Sequence, residues 1–447
     1  MRFEEALSQV PAVLPGEFEQ FARHLRPEFI EDALCATGTA SVRRRRLPAE
    51  QVLWLCVGMA LMRNESVERV AALLSLALPA AREALVARSA LVQARQRLGE
   101  EPLAYVFGAT GAEWAQRSAR AHRWRGLSVY ALDGSTLRVP DGRENWAAFG
   151  GQVKSGKRAG SAYPTLRVAG LMAARSHVLA GLAFGPYATG EVTLARELWP
   201  SVPDDSVTLV DRNFLVAADL NRLVGEGRNR HWVTRLRKQL TLRVLERHAR
   251  GDERVEVVLS AATRRRCPEL PERWEARAVR YQRKGFRPSV LLTSLLDPVA
   301  WPRDEVVSLY HERWEIELGY DEVKTHLLMR EEALRSRTPE GVRQEVWAVG
   351  LAYNLVRLEM ERVASEAGVP PTRISFTNAL SLIAHAWVVW STPPMVPGKL
   401  PGELLDLRAR LRLLLLPERR PERSYPRAVK IKMSNYARKR PRGRGRN

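Results

Sequence analysis

The chain has 447 residues and carries 71 lysine and arginine residues against 50 aspartate and glutamate residues, a formal net charge of +21. This length allows two or three domains. A charge of this size favours a polyanionic partner, with nucleic acid first among polyanions, although a merely soluble basic protein would show the same balance.

Cys35, Cys56 and Cys267 are scattered, with no paired spacing and no nearby histidine, which argues against a zinc site or a disulfide framework. No apolar run reaches the roughly 18 residues that a membrane helix needs. The first residues, MRFEEALSQV, lack a basic region followed by an apolar run, so we expect no signal peptide, no membrane association and a cytosolic location.

Residues 1–120 show short amphipathic helical patterns separated by small breaks, as in helix-turn-helix bundles, and predict an N-terminal DNA-binding domain. Arginine and glutamine side chains on these helices are of the type that contacts phosphates and base edges. A solvated charge run on a helical cap domain is the alternative. The candidate DNA-binding residues are Arg43, Arg44, Arg45, Arg46, Arg95 and Arg97.

From residue 121 the hydrophobic period changes to one typical of strands. Strand-like segments alternate with helical ones in an order that predicts a mixed α/β sheet. The segments are LSVYALDG (127–134), TLRVAGLMAAR (165–175), VLAGLAFG (178–185), VTLVDRNF (207–214) and HWVTRLR (231–237).

The remaining chain divides by composition. β-type segments interrupt the sheet between 240 and 296, and a helix started by Pro302 and Asp304 follows. We therefore predict a core of 121–239 and 297–335, a helical region at 336–426, and a basic tail at 427–447 with nine cations and no acid.

The segment YHERWEIELGYDEVK, residues 310–324, has two polar faces when it is drawn as one continuous helix. One face carries Tyr310, Arg313, Glu317 and Lys324. The other carries His311, Glu312, Glu315 and Glu322 and reads as an ordinary solvated stripe. Apolar residues, Trp314 and Leu318 among them, are predicted to form core flanks beside the first face.

A carboxylate walled by core must be paired or bound to metal, since burying an unpaired charge is prohibitive. An internal salt bridge between Glu317 and Arg313, four residues apart, is one explanation. Two aspartates suggest another: Asp133 follows the apolar run VYAL, and Asp211 follows VTLV. A single such Asp usually caps a turn, but three acids together could hold two divalent metal ions that act on a phosphodiester.

These residues resemble a known family. The spacing Tyr310-x2-Arg313-x3-Glu317-x6-Lys324 matches the Y-R-E-K signature of bacterial insertion-sequence transposases of the DDE class, in the cut-and-paste branch typified by insertion element four. The blocks DGSTLRVPDGRENWAAFG (133–150) and VDRNF (210–214) resemble those around the first and second catalytic acids, and the likeness runs from about residue 40 to 440. Asn213 departs from the pattern, because relatives usually have glycine there.

The resemblance implies an RNase H-like core in which Asp133, Asp211 and Glu317 are catalytic and bind two Mg²⁺ ions, with Mn²⁺ as a substitute. It implies that 240–296 is a β-rich insertion domain, and that Tyr310, Arg313 and Lys324 hold DNA phosphate. Family members stack a flipped base on a tryptophan of the insertion, for which Trp274 is a candidate, although a core tryptophan is the alternative.

The implied activity is cut-and-paste transposition in the bacterial cytoplasm, in association with the nucleoid. Strand hydrolysis at each terminal inverted repeat, formation of a DNA hairpin, its reopening and joining to target DNA would occur in a homodimer that bridges two ends, with the helical region 336–426 as the expected dimer contact. A DNA-binding repressor without catalysis and a two-metal nuclease without strand transfer remain the alternatives.

Overall fold

The computed structural model describes residues 25–40, 47–74, 86–152, 160–283, 287–329, 333–391 and 400–417. The described part of the N-terminal region is helical. Ser66 begins one helix by accepting a hydrogen bond from the amide of Arg69, which satisfies an otherwise unpaired donor. The helices are α1 Pro27–Ala36, α2 Ala49–Leu61, α3 Val67–Leu73, α4 Arg88–Leu98 and α5 Glu101–Ala121.

A single nine-stranded sheet runs through the described residues, in the order β3-β2-β1-β4-β5-β9-β8-β7-β6. β1 pairs antiparallel with β2 and parallel with β4, and β4 pairs parallel with β5, so the predicted mixed sheet is confirmed. The strands are β1 Ser128–Arg138, β2 Thr165–Ala173, β3 Leu179–Pro186, β4 Ser206–Val210, β5 Arg230–Arg235, β6 Thr241–Ala249, β7 Asp252–Val258, β8 Glu275–Tyr281 and β9 Ser289–Thr293.

The β-type segments between 240 and 296 extend this sheet. β9 returns beside β5 in antiparallel pairing, with Val233 opposite Thr293, and β8, β7 and β6 follow outward. The inserted strands are thus anchored to the core by backbone hydrogen bonds. Arg277 and Asp252 form a fully buried ion pair within them.

The segment from Tyr310 to Lys324 is divided, so the prediction of one continuous helix is wrong. The amides of Glu312, Arg313 and Glu315 each bond a carbonyl three residues back, which tightens the chain between two α-helices. Beyond the second helix the amide of Leu328 bonds Val323, five residues back, in a π-helical turn. The pieces are α10 Arg303–His311, α11 Trp314–Asp321 and the π turn Glu322–Leu327.

The long helix α12, Pro339–Glu366, lies in the centre of the molecule and is buried over most of its length. Thr338 caps its first turn, and Asn354 both donates to and accepts from the backbone of Leu179, the first residue of β3. The other helices are α6 Arg143–Phe149, α7 Glu191–Leu198, α8 Ala217–Gly225, α9 Ala261–Arg266, α13 Phe376–Ser391 and α14 Leu400–Arg412. Among the helices described, none is long and apolar enough to cross a membrane.

A buried ion pair ties the N-terminal helices to α12. Glu345 accepts hydrogen bonds from Arg63, from the amides of Arg335 and Ser336, and from the Ser336 hydroxyl. Burial alone would raise the pKa of Glu345, but Arg63 and these hydrogen bonds hold the pKa below its ordinary value.

We expect Glu345→Ala to lower the free energy of unfolding by about 3–5 kcal/mol, because Arg63 is then a buried charge without its partner. Urea denaturation followed by circular dichroism measures this change. Glu340→Ala, at an exposed position in the first turn of the same helix, is the matched control. A loss below about 1 kcal/mol, which is the scale of an exposed pair, would contradict the role given to this carboxylate.

Candidate active site

Asp133 and Asp211 lie on neighbouring strands. The parallel pairing of β1 and β4 ends with Leu132 opposite Val210, and the two aspartates are the next residue in each chain segment. Asp211 ends its strand as expected and starts a 3-10 turn at Arg212. Asp133 does not end its strand, because β1 continues to Arg138 in pairing with β2 alone. The two carboxylates therefore meet where the parallel ladder stops.

Arg313 joins the first aspartate to the glutamate. Its guanidinium donates from Nη1 to Asp133 Oδ2 at 3.1 Å and from Nη2 to Glu317 Oε1 at 2.6 Å. The Arg313 side chain is only 7% exposed. The salt bridge between Arg313 and Glu317 that the sequence suggested is present. Because Arg313 also contacts Asp133, it links Glu317 to the strand of Asp133.

Asp211 has its own cation, which the sequence reasoning missed. Arg235 at the end of β5 donates from Nη2 to Asp211 Oδ1 at 2.9 Å. The sequence feature that pointed to the aspartates could also have pointed to Arg235. Arg235 is a charged residue at the end of an apolar strand, and that strand pairs in parallel with the strand that precedes Asp211.

The electrostatics of the two aspartates differ. Burial raises the pKa of Asp133 to about 6, Glu317 and Asp211 add to this rise, and the Gly134 amide and Arg313 oppose it. Burial also acts to raise the pKa of Asp211, but the hydrogen bond from Arg235 and further positive neighbours leave that pKa below its ordinary value. Asp133 is therefore short of compensating positive charge although Arg313 touches it.

This donor set fits a hard divalent cation, for which carboxylate oxygens are the preferred ligands, and the raised pKa of Asp133 is the effect expected where a cation would be stabilising. In the conformation described, however, no three His, Cys, Asp or Glu side chains among the described residues are arranged to hold a metal ion. Arg313 and Arg235 hold the carboxylates instead. The three acids would have to turn from these guanidiniums to share a metal.

Tyr310 and Lys324 lie close to the acids in different ways. The Tyr310 hydroxyl donates to the backbone carbonyl of Val210 at 3.3 Å, and the residue is 4% exposed. Lys324, on the π turn, lines a small apolar cavity together with Ser135. Because Ser135 is two residues beyond Asp133, it shares the same face of β1, so Lys324 reaches the aspartate's side of the sheet.

The environment of the glutamate helix differs from the expected one on both faces. Trp314 and Leu318 are 49% and 37% exposed, so the core flank predicted on their side is wrong and the site is open there. The opposite flank, which includes Ile316, is buried as predicted. Glu322, expected in the solvated stripe, is largely enclosed and accepts hydrogen bonds from Tyr353 and His177. Burial opposes its charge, but Arg357 and His177 lower the pKa of Glu322 to about 2.

The other candidates separate into three groups. Arg95 is turned inward, donating to Gln344 at 2.9 Å and to the Ser336 hydroxyl, so its side chain is not presented to DNA as expected. Arg97 is exposed. Trp274 is 4% exposed and packs on Trp232, which does not support the base-stacking role considered for it and matches the core alternative. The run Arg43 to Arg46 and the basic tail lie outside the described residues.

The sheet order from β3 to β5, with parallel pairing of β1, β4 and β5, fits the predicted RNase H-like fold. Comparison with known proteins agrees. The family described as "Transposase DDE domain" matches residues 124–355, and that described as "Insertion element 4 transposase N-terminal" matches residues 15–108.

Two relatives in Escherichia coli strain K12 are similar over long stretches. The transposase InsG for insertion sequence element IS4 is 38% identical over 414 residues, which is 92% of each chain. The putative transposase InsZ is 35% identical over 240 residues, 54% of this chain and 78% of that one. A solved synaptic complex of piggyBac transposase with hairpin DNA is a distant structural neighbour at 11% identity, and the match covers 90% of this chain and 85% of that one with a TM-score of 0.43.

The chain therefore belongs to the insertion element 4 family of transposases and is an enzyme that acts on DNA. Membership of the DDE class implies dependence on a divalent metal ion.

The raised pKa of Asp133 predicts an effect on stability. Since the folded-state pKa of about 6 lies above the ordinary 3.8, the folded chain binds this proton more tightly than the unfolded chain does. The contribution of Asp133 to stability should therefore fall as pH rises from about 4 to about 6 and should stay lower above that range. Asp133→Asn removes this penalty and should raise the free energy of unfolding at pH 7.5 by up to about 3 kcal/mol without metal.

Thermal denaturation in EDTA, from acid to mildly basic pH, measures this effect. The two proteins should converge near the acid end of the series. Asp304→Asn, which removes one charge at an exposed position, is the control. A variant less stable than wild type at pH 7.5 would show that Asp133 is stabilised by its arginine and not strained.

Proposed function

We propose that Asp133, Asp211 and Glu317 are the catalytic acids and that they hold two divalent metal ions, Mg²⁺ with Mn²⁺ as a substitute. The observation that carries this proposal is the convergence of three carboxylates, distant along the chain, around Arg313 and Arg235. When bound, such ions activate the attacking oxygen and stabilise the leaving oxygen of a phosphodiester.

Arg313 and Arg235 would then change partners. Each guanidinium now neutralises a carboxylate that the metal ions would take over. A planar guanidinium released beside the scissile linkage is well suited to bidentate contact with phosphate. Arg313 thus has the phosphate-binding role predicted from the sequence, and Arg235 has the same role. Lys324 supplies a further positive charge from the side of β1.

The reaction that this site supports is cut-and-paste transposition of DNA bounded by terminal inverted repeats. One strand is hydrolysed at each end, the freed 3′-hydroxyl attacks the opposite strand to form a hairpin, water reopens the hairpin, and the 3′-hydroxyl joins target DNA. The membership of the chain in the insertion element 4 family and its net charge of +21 support this assignment.

A homodimer follows from the same proposal. Each chain has one set of acids, whereas the element has two ends that must be cut and joined together. We therefore propose that two copies bridge the two ends, with the helical region 336–426 as the contact between them and the arginine-rich N-terminal region on the DNA.

We expect Glu317→Gln to reduce cleavage of DNA carrying the element's ends at least about a hundredfold. Removing a direct metal ligand should lower activity more than removing a residue that only orients a ligand by a hydrogen bond. Binding to the same DNA should stay within a few-fold, since the side chain keeps its shape and Arg97 and other surface cations are untouched. Gel analysis of labelled substrate with Mg²⁺, and fluorescence anisotropy without it, measure the two effects.

Glu340→Gln, at an exposed position in the first turn of α12, is the control. Insertion products from the wild type support the transposase assignment. Cleavage without joining would point to a nuclease, and a metal-independent shift with neither product would point to a DNA-binding repressor. Loss of DNA binding together with cleavage in the Glu317→Gln variant would mean that this glutamate is structural.

A further inference from the structure

The glutamate helix is attached to the strand of Asp133 by a second contact besides Arg313. Tyr320, three residues after Glu317 in α11, donates its hydroxyl to the backbone carbonyl of Asp133 at 2.7 Å. Tyr320 contacts the backbone carbonyl of Asp133 and not its side chain. The carboxylate of Asp133 is therefore left available to other partners.

A glycine makes room for this hydroxyl. Gly170 on β2 lies directly opposite Asp133 in the register of the sheet. A Cβ atom at Gly170 would lie 2.9 Å from the Tyr320 hydroxyl, closer than real Cβ atoms approach, whereas its next neighbours, on Leu179 and Leu182, would be at an ordinary 3.6 Å. The hydroxyl is thus the close obstacle to a side chain at this position.

A second tyrosine hydroxyl, near the N-terminal end of the segment 310–324, makes a similar contact with the strand that precedes Asp211. Tyr310, in the last turn of α10, donates to the carbonyl of Val210, the residue before Asp211. Tyr310 is 4% exposed and lies three residues before Arg313. Its hydroxyl is therefore used within the protein, next to the second aspartate.

We propose that Tyr310 and Tyr320 are positioning residues that fix the segment carrying Glu317 against both aspartate strands, and that Gly170 is required for the second of these contacts. The two hydroxyls lie on either side of Glu317 along the chain and hold the backbone of one strand each. Together they set the separation of the three acids before any metal arrives. This proposal rests on the metal-binding role proposed for the acids, and it replaces the phosphate contact expected of Tyr310.

Binding of Mn²⁺ by the full-length protein, measured from the electron paramagnetic resonance of the free ion, tests the role of Tyr320. We expect Tyr320→Phe to weaken Mn²⁺ binding about tenfold, the lower end of the range for residues that orient metal ligands. The thermal midpoint should change little, because the ring stays buried. Tyr105→Phe, on the exposed face of α5, is the matched control and should bind Mn²⁺ as the wild type does.

Gly170→Ala tests the same contact from the other side. Its methyl group should push the Tyr320 hydroxyl from the Asp133 carbonyl and weaken Mn²⁺ binding by a similar factor. In the Tyr320→Phe background the added alanine should have little further effect, because the atom it displaces is gone. Gly108→Ala, where a methyl group would meet open space, is the control for the change of residue type.

Tyr310→Phe distinguishes positioning from phosphate contact. A positioning role predicts weaker Mn²⁺ binding and unchanged binding of a fluorescein-labelled DNA duplex in EDTA. A phosphate contact predicts the reverse, weaker duplex binding with unchanged Mn²⁺ binding, and would overturn the role given to Tyr310.

Asp133→Asn and Glu317→Gln separate the two proposals. If both variants lose Mn²⁺ binding while Tyr320→Phe and Gly170→Ala bind as the wild type does, the metal site stands and the positioning role is wrong. If Asp133→Asn and Glu317→Gln bind Mn²⁺ as the wild type does, the acids are not the ligands and both proposals fail. Equal loss in Gly170→Ala with and without the Tyr320 hydroxyl would also overturn the part played by Gly170.

Discussion

The structure depends on one electrostatic constraint: the partly buried carboxylates of Asp133, Asp211 and Glu317 require positive charge beside them. Arg313 supplies part of it by bridging Asp133 and Glu317, and Arg235 supplies the rest at Asp211. The compensation is incomplete, since the pKa of Asp133 remains raised to about 6. The acids are thus held by arginines while Asp133 keeps a raised pKa, and carboxyl groups with perturbed pKa values are common at functional sites.

The rest of the fold serves to bring those acids together. Parallel pairing of β1 with β4 places two aspartates side by side, and the tightened chain at Arg313 turns the glutamate helix toward them. The hydroxyl of Tyr320 holds that helix to the strand of Asp133, and the hydroxyl of Tyr310 holds the preceding helix α10 to the strand of Asp211, each through a backbone carbonyl. Behind it, the enclosed Glu322 joins the π turn to α12, so the segment is fixed from both sides. Buried polar contacts of this kind favour one arrangement of the segment over others, because a buried polar group left without a hydrogen-bond partner would destabilise the fold.

The inserted strands and the N-terminal helices are joined to this core by different means. β9 continues the sheet from β5, so the insertion shares the backbone hydrogen bonds of the core. The N-terminal helices are joined through the buried pair of Arg63 and Glu345, with Arg95 turned inward to Gln344. Arginines that a sequence offers as DNA ligands can thus be structural, and the strongly basic composition is divided between internal ion pairs and the exposed surface.

The mixed sheet and the family could be predicted from the sequence, because strand periodicity and the spacing of a family signature are properties of the chain itself. The end of the β4 strand at Asp211 was predicted in the same way, whereas Asp133 lies within β1 and not at its end. The tertiary structure alone decided which partners these residues have. Arg235 is brought close to Asp211 by the pairing of β4 with β5, and the buried Trp274 packs on Trp232 of β5. The helical wheel failed at Trp314 and Glu322, since it assumes a uniform helix and cannot foresee the tightened turn, the π turn or the side chains that enclose them. Exposure and pairing depend on segments far apart in sequence, and those meet only when the chain is folded.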